Sequence, residues 1–447
     1  MRQIVRRQVP KCEMTIQIRK SGRLGVVSLA AVALVVRLLA VYLVGPSHIK
    51  FGDAADYLSA ARSLCSSGSY PDRSSLPFFR APGLPFFIAG ATLCHPEKIW
   101  LVKVMLALID TMSVAMIFLL AKQLFQIRRI SCLSAGAAAI YPFFVIQVCD
   151  VQTEGLFMFL LLAGVWLTLK GSHGRHVFLM LLAGTCAAAA ALVRPVGLAL
   201  LPVLMVGSVT VGTAQKRAYV WLLASFAIGW VIILGPWVLR NASRYHELIL
   251  VNDAGGYAFW RGTSAEMHEI RRLDDPEAYS QASIHFETVT SPTIAREIDK
   301  TASTPLSRSR EWYRRSFESL AEDPGAFGLR LLQNGLVYWR PWLNSQAYSN
   351  VVVVTSGLLT ASLDIFALVG WCLLWRRNRS LAFWCAGTAI LFWILQIPFQ
   401  VVSRFRIPIT DPFLIIFAAA SVTAIIAKRR PSSASPLNHE PELAARV

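Results

Sequence analysis

Several stretches of the chain stay apolar for roughly 20 residues, the length a helix needs to cross about 30 Å of hydrocarbon. Such runs predict membrane helices rather than barrel strands. About ten spans can be drawn, near 24–45, 99–121, 130–148, 153–170, 177–193, 196–213, 218–239, 350–375, 381–400 and 407–427. Between them lie short connections and two longer polar segments, about 46–98 and 240–349. The apolar run after Arg23 is span-length and has no small-residue cleavage site before Pro46, so the first span is expected to remain as an anchor.

Composition agrees. Of 447 residues 55% are hydrophobic and only 16% charged, too apolar for an ordinary soluble domain. The expected fold class is an all-α polytopic membrane protein, with surface helices in the first outer loop and a small helical outer domain. The expected organisation is a basic N-terminus over 1–23, a catalytic bundle over 24–239 containing the loop 46–98, and a large loop over 240–349. Helices over 350–427 and a Pro/Ser-rich, disordered tail over 428–447 complete it.

The net charge of +18 would suggest nucleic acid in a soluble protein, but in a membrane protein it is read loop by loop. A cytoplasmic N-terminus places Arg2, Arg6, Arg7, Lys11, Arg19, Lys20 and Arg23 inside. It also places inside the basic residues of later connections, among them Lys122, Arg128, Arg129, Arg376, Arg377, Arg379, Lys428 and Arg429, with Glu13 the only acid beside them. The positive-inside bias accounts for the excess, and nucleic-acid binding is not needed. Both termini are therefore expected in the cytoplasm. The eight cysteines show no CxxC pair or zinc-ligand spacing. Cys65 and Cys94 alone share an outer loop, which leaves a disulfide between them open.

The polar residues of the short motifs collect on the outer side. In "DAADYLSAARSL", Asp53, Asp56 and Tyr57 fall at i, i+3 and i+4 and share one helix face; a plain helix cap reads equally well. "FRAPGLPFF" sets Arg80 before a turn broken by Pro82 and Pro85, either a snorkelling arginine or a fixed cation for phosphate. "YPFFVIQVCDVQTEGLFMFLLL" places Asp150 and Glu154 four apart, one face of a helix if it starts early, while Thr153 and Glu154 could equally cap it. "ALVRPVGL" and "VVSRFRIPITDPF" add Arg194, Arg404 and Arg406, outer arginines that run against the charge bias and argue for a bound anion. Carboxylates with arginines at the lipid boundary suit a reaction between a lipid-linked phosphate and a hydroxyl acceptor. Arg37, Lys103, Asp110 and Asp364, inside spans, are expected as structural ion pairs, with Lys103 and Asp110 on one helical face. Tyr338, Trp339 and Trp342 around Arg340 read as an interface belt, and Asp72 and Arg73 as solvated charges.

The order of "GDAADYLSAARSL", "FRAPGLPFF", "VQTEGLFMFL", "LVRPVGL" and "SRFRIPITDPF" resembles the polytopic glycosyltransferases of the C superfold (GT-C). Within it the chain is most similar to the bacterial family 39 type branch of protein O-mannosyltransferases, lipid A aminoarabinose transferases and lipopolysaccharide-core sugar transferases. The resemblance implies a cell-envelope enzyme of the bacterial inner membrane with its site facing outward. It implies transfer of a sugar from a polyprenyl-phosphate carrier to a hydroxyl on a lipid, glycan or protein acceptor, usually with inversion. Asp53 falls on the catalytic-base position. Tyr57, Arg80, Glu154, Arg194, Arg404 and Arg406 fall on motif positions, and Asp56 and Asp150 lie beside them. "NDAGGYAFWRGT" is similar to a Gly-rich stretch of the family, so Trp260 lines the sugar pocket or belongs to a core. Two departures stand out: Ala54 follows Asp53 where many relatives carry a second acid, and Leu84 replaces an aromatic. Some members of the superfold use a divalent cation and others do not, and no ligand set stands out here, so the metal stays open. The alternatives are a transporter or flippase of lipid-linked sugars, which would gather polar residues at the midplane, and a polymerase or ligase of lipid-linked glycans.

Overall fold

The computed structural model describes residues 12–49, 52–212, 216–343, 345 and 349–429, and among these every regular element is helical. The basic residues expected before position 12 and the tail after 429 lie outside the described residues.

The described chain opens with α1 (Cys12–Val44), followed by two short helices of the first long loop, α2 (Gly52–Ser67) and α3 (Gly83–Ala91). A run of bundle helices follows: α4 (Ile99–Phe125), α5 (Arg128–Ile140), α6 (Pro142–Gln147), α7 (Glu154–Gly174), α8 (Val177–Val193), α9 (Leu200–Val211) and α10 (Lys216–Tyr245). The segment between α10 and the last bundle helices folds into α11 (Gly255–Thr263), α12 (Ala265–Arg272), α13 (Pro276–His285), α14 (Ser291–Thr301), α15 (Pro305–Glu322) and α16 (Pro324–Trp339). Then come α17 (Asn350–Arg377), α18 (Arg379–Gln396) and α19 (Asp411–Arg429).

Among the described residues seven helices are long and apolar enough to cross a membrane: Gly25–Val44 of α1, α4, α7, Ala218–Tyr245 of α10, α17, α18 and Asp411–Lys428 of α19. Helix α8 and the Pro195–Val211 stretch are apolar but shorter. The expected span 130–148 is broken, because Tyr141 is extended and Pro142 starts the separate helix α6. A proline restricts the residue before it in this way and cannot donate to the preceding turn.

Close packing of α8 and α10 rests on two glycines. A Cβ at Gly184 would stand 2.0 Å from the Phe226 carbonyl oxygen, and one at Gly229 would stand 2.1 Å from that of Leu181. Small residues of this kind let helix backbones touch inside a membrane.

Of the charges inside spans, Arg37 pairs with Asp110 and also donates to the Ala139 carbonyl at 2.9 Å. Lys103 and Asp110 do not pair with each other. Lys103 donates to the carbonyls of Gly45 at 3.0 Å and His48 at 2.5 Å, while Asp110 takes Arg37 and Gln147. Asp364 pairs with Arg406.

The belt reading of 338–342 is corrected. Tyr338 is fully buried and bonds Thr410 at 2.8 Å, and half-buried Trp339 packs on Arg406 and Trp393, while Trp342 is exposed. Asp72 and Arg73 are likewise more than solvated charges. Arg73 makes a bidentate pair with Asp299, both bonds 2.7 Å, and Asp72 accepts from Arg244 and Tyr245. Together they tie the loop between α1 and α4 to α10 and the segment after it.

Candidate active site

Helix α2 is rich in Ala and Leu, and its buried face includes Ala54, Leu58 and Ala61. It stops at Gly68, whose φ of +66° and N–H bond to the Leu64 carbonyl form a left-handed cap. The chain then returns through Tyr70, whose hydroxyl donates to the Arg80 carbonyl at 2.9 Å. Asp253 accepts the Phe79 N–H at 3.0 Å. Two anchors therefore fix the backbone on either side of the Arg80 side chain. Gly83, opening α3, lies where a Cβ would meet the Val193 nitrogen at 2.7 Å, so this turn presses against the end of α8.

Held this way, Arg80 reaches back to α2. Its Nη2 donates to Asp53 Oδ1 at 2.7 Å and its Nε to Asp56 Oδ2 at 2.9 Å. The guanidinium also lies over the rings of Tyr57, 5.5 Å away, and Phe78, 5.4 Å away. Asp56 takes the Ser75 N–H and hydroxyl as well, so it does not serve as a helix cap.

Three further elements meet Asp53 from the other side. The 3₁₀ turn Ser403–Phe405 brings Arg404 Nη2 to Asp53 Oδ2 at 3.2 Å and Arg404 Nη1 to Gln152 Oε1 at 3.0 Å. Arg404 Nε stands 3.6 Å from Glu154 Oε1. Glu154 opens α7 and pairs with Arg194 Nη1 at 2.9 Å. Arg194 precedes Pro195, is extended, and closes α8; it also donates to Thr153 at 3.2 Å and stacks on Phe405. Asp53, Asp56, Tyr57, Arg80, Glu154, Arg194 and Arg404 thus form one contiguous site.

The charges in it balance, but the carboxylates differ in access. The Asp53 side chain is 34% exposed, against 8% for Asp56 and 5% for Glu154. Asp53 alone presents a free face to an incoming group. Burial raises its carboxyl, but Arg80 and Arg404 outweigh that and hold it below the usual carboxylate value. Burial pushes the Tyr57 phenol up to about 12, so it stays protonated beside the ion pairs. Burial also opposes the charge on Arg404, yet Glu154 and Asp53 keep it firmly cationic.

Three sequence candidates are placed otherwise than expected. Arg406, two residues from Arg404, turns into the bundle, where it takes Asp364 in two bonds of 3.0 and 2.7 Å and Asp411 at 2.8 Å. Tyr141 donates to the same Asp411. Asp150 does not share a helix face with Glu154, since α7 begins only at Glu154; its Oδ1 instead accepts the Val151 N–H at 2.7 Å. Trp260 is a core residue, packed against Trp312 at 4.6 Å and Phe286 at 5.4 Å in a cluster with Tyr257 and Met267. Gln152, Ser75, Phe405 and Asp253 belong to the site or its support without having been singled out from sequence. Gln152 and Phe405 stood inside quoted motifs, but nothing marked their side chains as facing Asp53.

Among the described residues no three His, Cys, Asp or Glu side chains gather as a metal site. Asp53, Asp56 and Glu154 are each engaged by guanidinium groups, so as they stand they do not fit a divalent cation.

No protein-family model matches the chain, and no curated protein matches it. Solved structures do. The oligosaccharyltransferase AglB from Archaeoglobus fulgidus, in complex with an inhibitory peptide and a dolichol-phosphate, aligns with 90% of this chain at TM-score 0.54 and 12% identity. Its apo form aligns at TM-score 0.55 and 12% identity, again over 90% of this chain. The fold of this chain is similar to that of these AglB structures. The chain spans about half the length of these AglB structures, 50% and 51%. ArnT from Cupriavidus metallidurans, bound to undecaprenyl phosphate, aligns over 92% of this chain and 81% of its own at 15% identity and a TM-score of 0.43.

Proposed function

We propose that this chain is a membrane glycosyltransferase that moves a sugar from a polyprenyl-phosphate carrier to an acceptor hydroxyl, with inversion. The observation that carries the reading is Asp53, an accessible carboxylate set between Arg80 and Arg404. In the reaction the acceptor oxygen attacks the anomeric carbon as the bond from that carbon to the phosphate oxygen breaks. The electron pair leaves with the polyprenyl phosphate, and the acceptor proton passes to Asp53. Arg404 and Arg194, joined through Glu154, are the cations best placed to take charge developing on the departing phosphate. The dolichol-phosphate bound by AglB is a lipid phosphate of the kind this reading requires.

The site is assigned to the extracytoplasmic face of a bacterial inner membrane, with both termini in the cytoplasm. Supporting this, the Cys65–Cys94 disulfide joins α2 to the loop after α3, and such bonds persist in oxidising compartments. Lys122, Arg128, Arg376, Arg377 and Arg379 lie at helix ends of the opposite set. The polar site sits at helix ends rather than at the middle of broken helices, which favours a transferase over a transporter.

Purified protein in detergent, given undecaprenyl-phosphate carrying tritiated hexoses or pentoses, should release undecaprenyl phosphate from at least one donor. Leaflet-to-leaflet movement of intact donor in proteoliposomes, without cleavage, would support the transporter instead.

A further inference from the structure

A cleft of about 280 Å³ opens beside the active site, between α2 and the returning loop. Its walls include Asp56, Ser59, Tyr70, Arg73, Ser75 and Arg80. Asp56 and Ser59 are three apart on α2 and so face it together. At roughly 30 Å³ per water the space equals about nine waters, near the small end of ligand pockets, which start at about 300 Å³. One sugar ring fills such a space.

The chemistry of the walls narrows the occupant. Both cations are already neutralised, Arg80 by Asp53 and Asp56 and Arg73 by its bidentate bonds to Asp299. An anionic group would meet Asp56 with no spare positive charge, and an apolar side chain would offer no partner to the Ser59 hydroxyl, which unlike that of Ser75 is not already bonded to Asp56. A neutral polyhydroxyl compound can donate to Asp56 and exchange hydrogen bonds with Ser59 and Ser75.

Position narrows it further. Asp53 Oδ1 is bound by Arg80, which lines the cleft, and Oδ2 by Arg404, which leads to Glu154 and Arg194. The cleft and the arginine pair therefore adjoin Asp53 through different oxygens. Inverting displacement requires attacking and leaving oxygens on opposite sides of the anomeric carbon.

We propose that the cleft is the acceptor subsite and that the acceptor hydroxyl belongs to a neutral sugar residue. This rests on the transferase reading above and goes beyond it by naming the acceptor class.

The test uses the full chain, an undecaprenyl-phosphate sugar that it cleaves, and two acceptor panels: p-nitrophenyl glycosides of neutral hexoses and Ser/Thr-containing peptides. Ser59 is exposed, so Ser59→Trp fills the cleft from a tolerant position and Ser59→Ala removes one hydroxyl. With melting temperatures matched, Ser59→Trp should raise the KM for the glycoside about tenfold or more and leave that for the donor within about twofold, with Ser59→Ala giving roughly a threefold rise. An unchanged glycoside KM in well-folded Ser59→Trp would overturn the proposal, as would a wild type that prefers peptides to every glycoside. Donor cleavage by water with no transfer to any glycoside also counts against the cleft while leaving the transferase reading intact. Cleavage of no donor removes that reading and the cleft proposal with it.

Discussion

Arg404 Nη2 donates to Asp53 Oδ2 at 3.2 Å across 351 residues of chain, joining the second helix to the turn that precedes the last one. The same guanidinium holds Gln152 and approaches Glu154. Arg404→Ala should therefore lower kcat/KM for the lipid donor by roughly 100-fold, the scale of losing one preorganised electrostatic donor. Arg404→Lys should not restore it, because a single ammonium cannot span those partners at once. Steady-state kinetics with a cleaved donor would check both variants; recovery with lysine would count against the assignment.

Arg406 should behave in the opposite way. It is 3% exposed and binds the half-buried Asp364 and the buried Asp411, so Arg406→Ala leaves both carboxylates without their cation. Breaking such a pair costs about 3–5 kcal/mol. The variant should melt well below wild type in detergent, whereas Arg404→Ala should not. Equal melting temperatures for Arg406→Ala and wild type would contradict this division of labour.

Asp253 gives a pH signature. Burial pushes its carboxyl up to about 7, against the pull of the Phe79 N–H and of Arg308, 3.8 Å away, and of Arg73. A carboxyl whose pKa is higher folded than unfolded binds more protons in the folded state. Its contribution to stability is therefore greatest in acid, declines as pH rises from about 4 to about 7, and is flat above that, with a limiting slope of about 1.4 kcal/mol per pH unit. Asp253→Asn keeps an acceptor for the Phe79 N–H and removes the titration. Melting temperature followed from about pH 5 to about pH 8 should fall more steeply for wild type than for the variant; identical slopes would refute the account.

The Cys65–Cys94 bond closes a 29-residue separation that contains Tyr70 and Arg80. Replacing both cysteines by serine should cost about 2–4 kcal/mol, and it should reduce turnover more than donor binding, because Arg80 is held within that loop. Reduction of the wild-type protein should reproduce both effects. A double serine variant with wild-type melting and turnover would show that the loop is fixed without the bridge.

The long bundle helices were legible because an apolar run is a local property; the break at Pro142, which divides the expected 130–148 span into two helices, was hidden inside such a run. The shared face of Asp53, Asp56 and Tyr57 was legible for the same reason, since a helical repeat fixes it within four residues. What sequence could not give was pairing over distance. Arg404 and Arg406 look equivalent in "SRFRIP", yet one turn of 3₁₀ helix sends the first to Asp53 and the second to Asp364. Asp150 and Glu154 looked paired only on a helix that in fact starts after Asp150. Trp260 lay in a Gly-rich stretch similar to one near the sugar site, but the helices of the segment after α10 enclose it as core. Lys103 and Asp110 shared a face and still found separate partners, because the turn after α1 supplied carbonyls to the lysine and α1 supplied the Arg37 guanidinium to the aspartate.

The central claim is that Asp53 takes the acceptor proton. Its most direct test is transfer of tritiated sugar from polyprenyl-phosphate donors in membranes containing wild type or Asp53→Asn at equal abundance. The account predicts that the variant keeps its melting temperature and donor binding but loses transfer by about 100-fold or more, the range for removing a general base. Transfer by Asp53→Asn at the wild-type rate would contradict it and move the base to another carboxylate of the network.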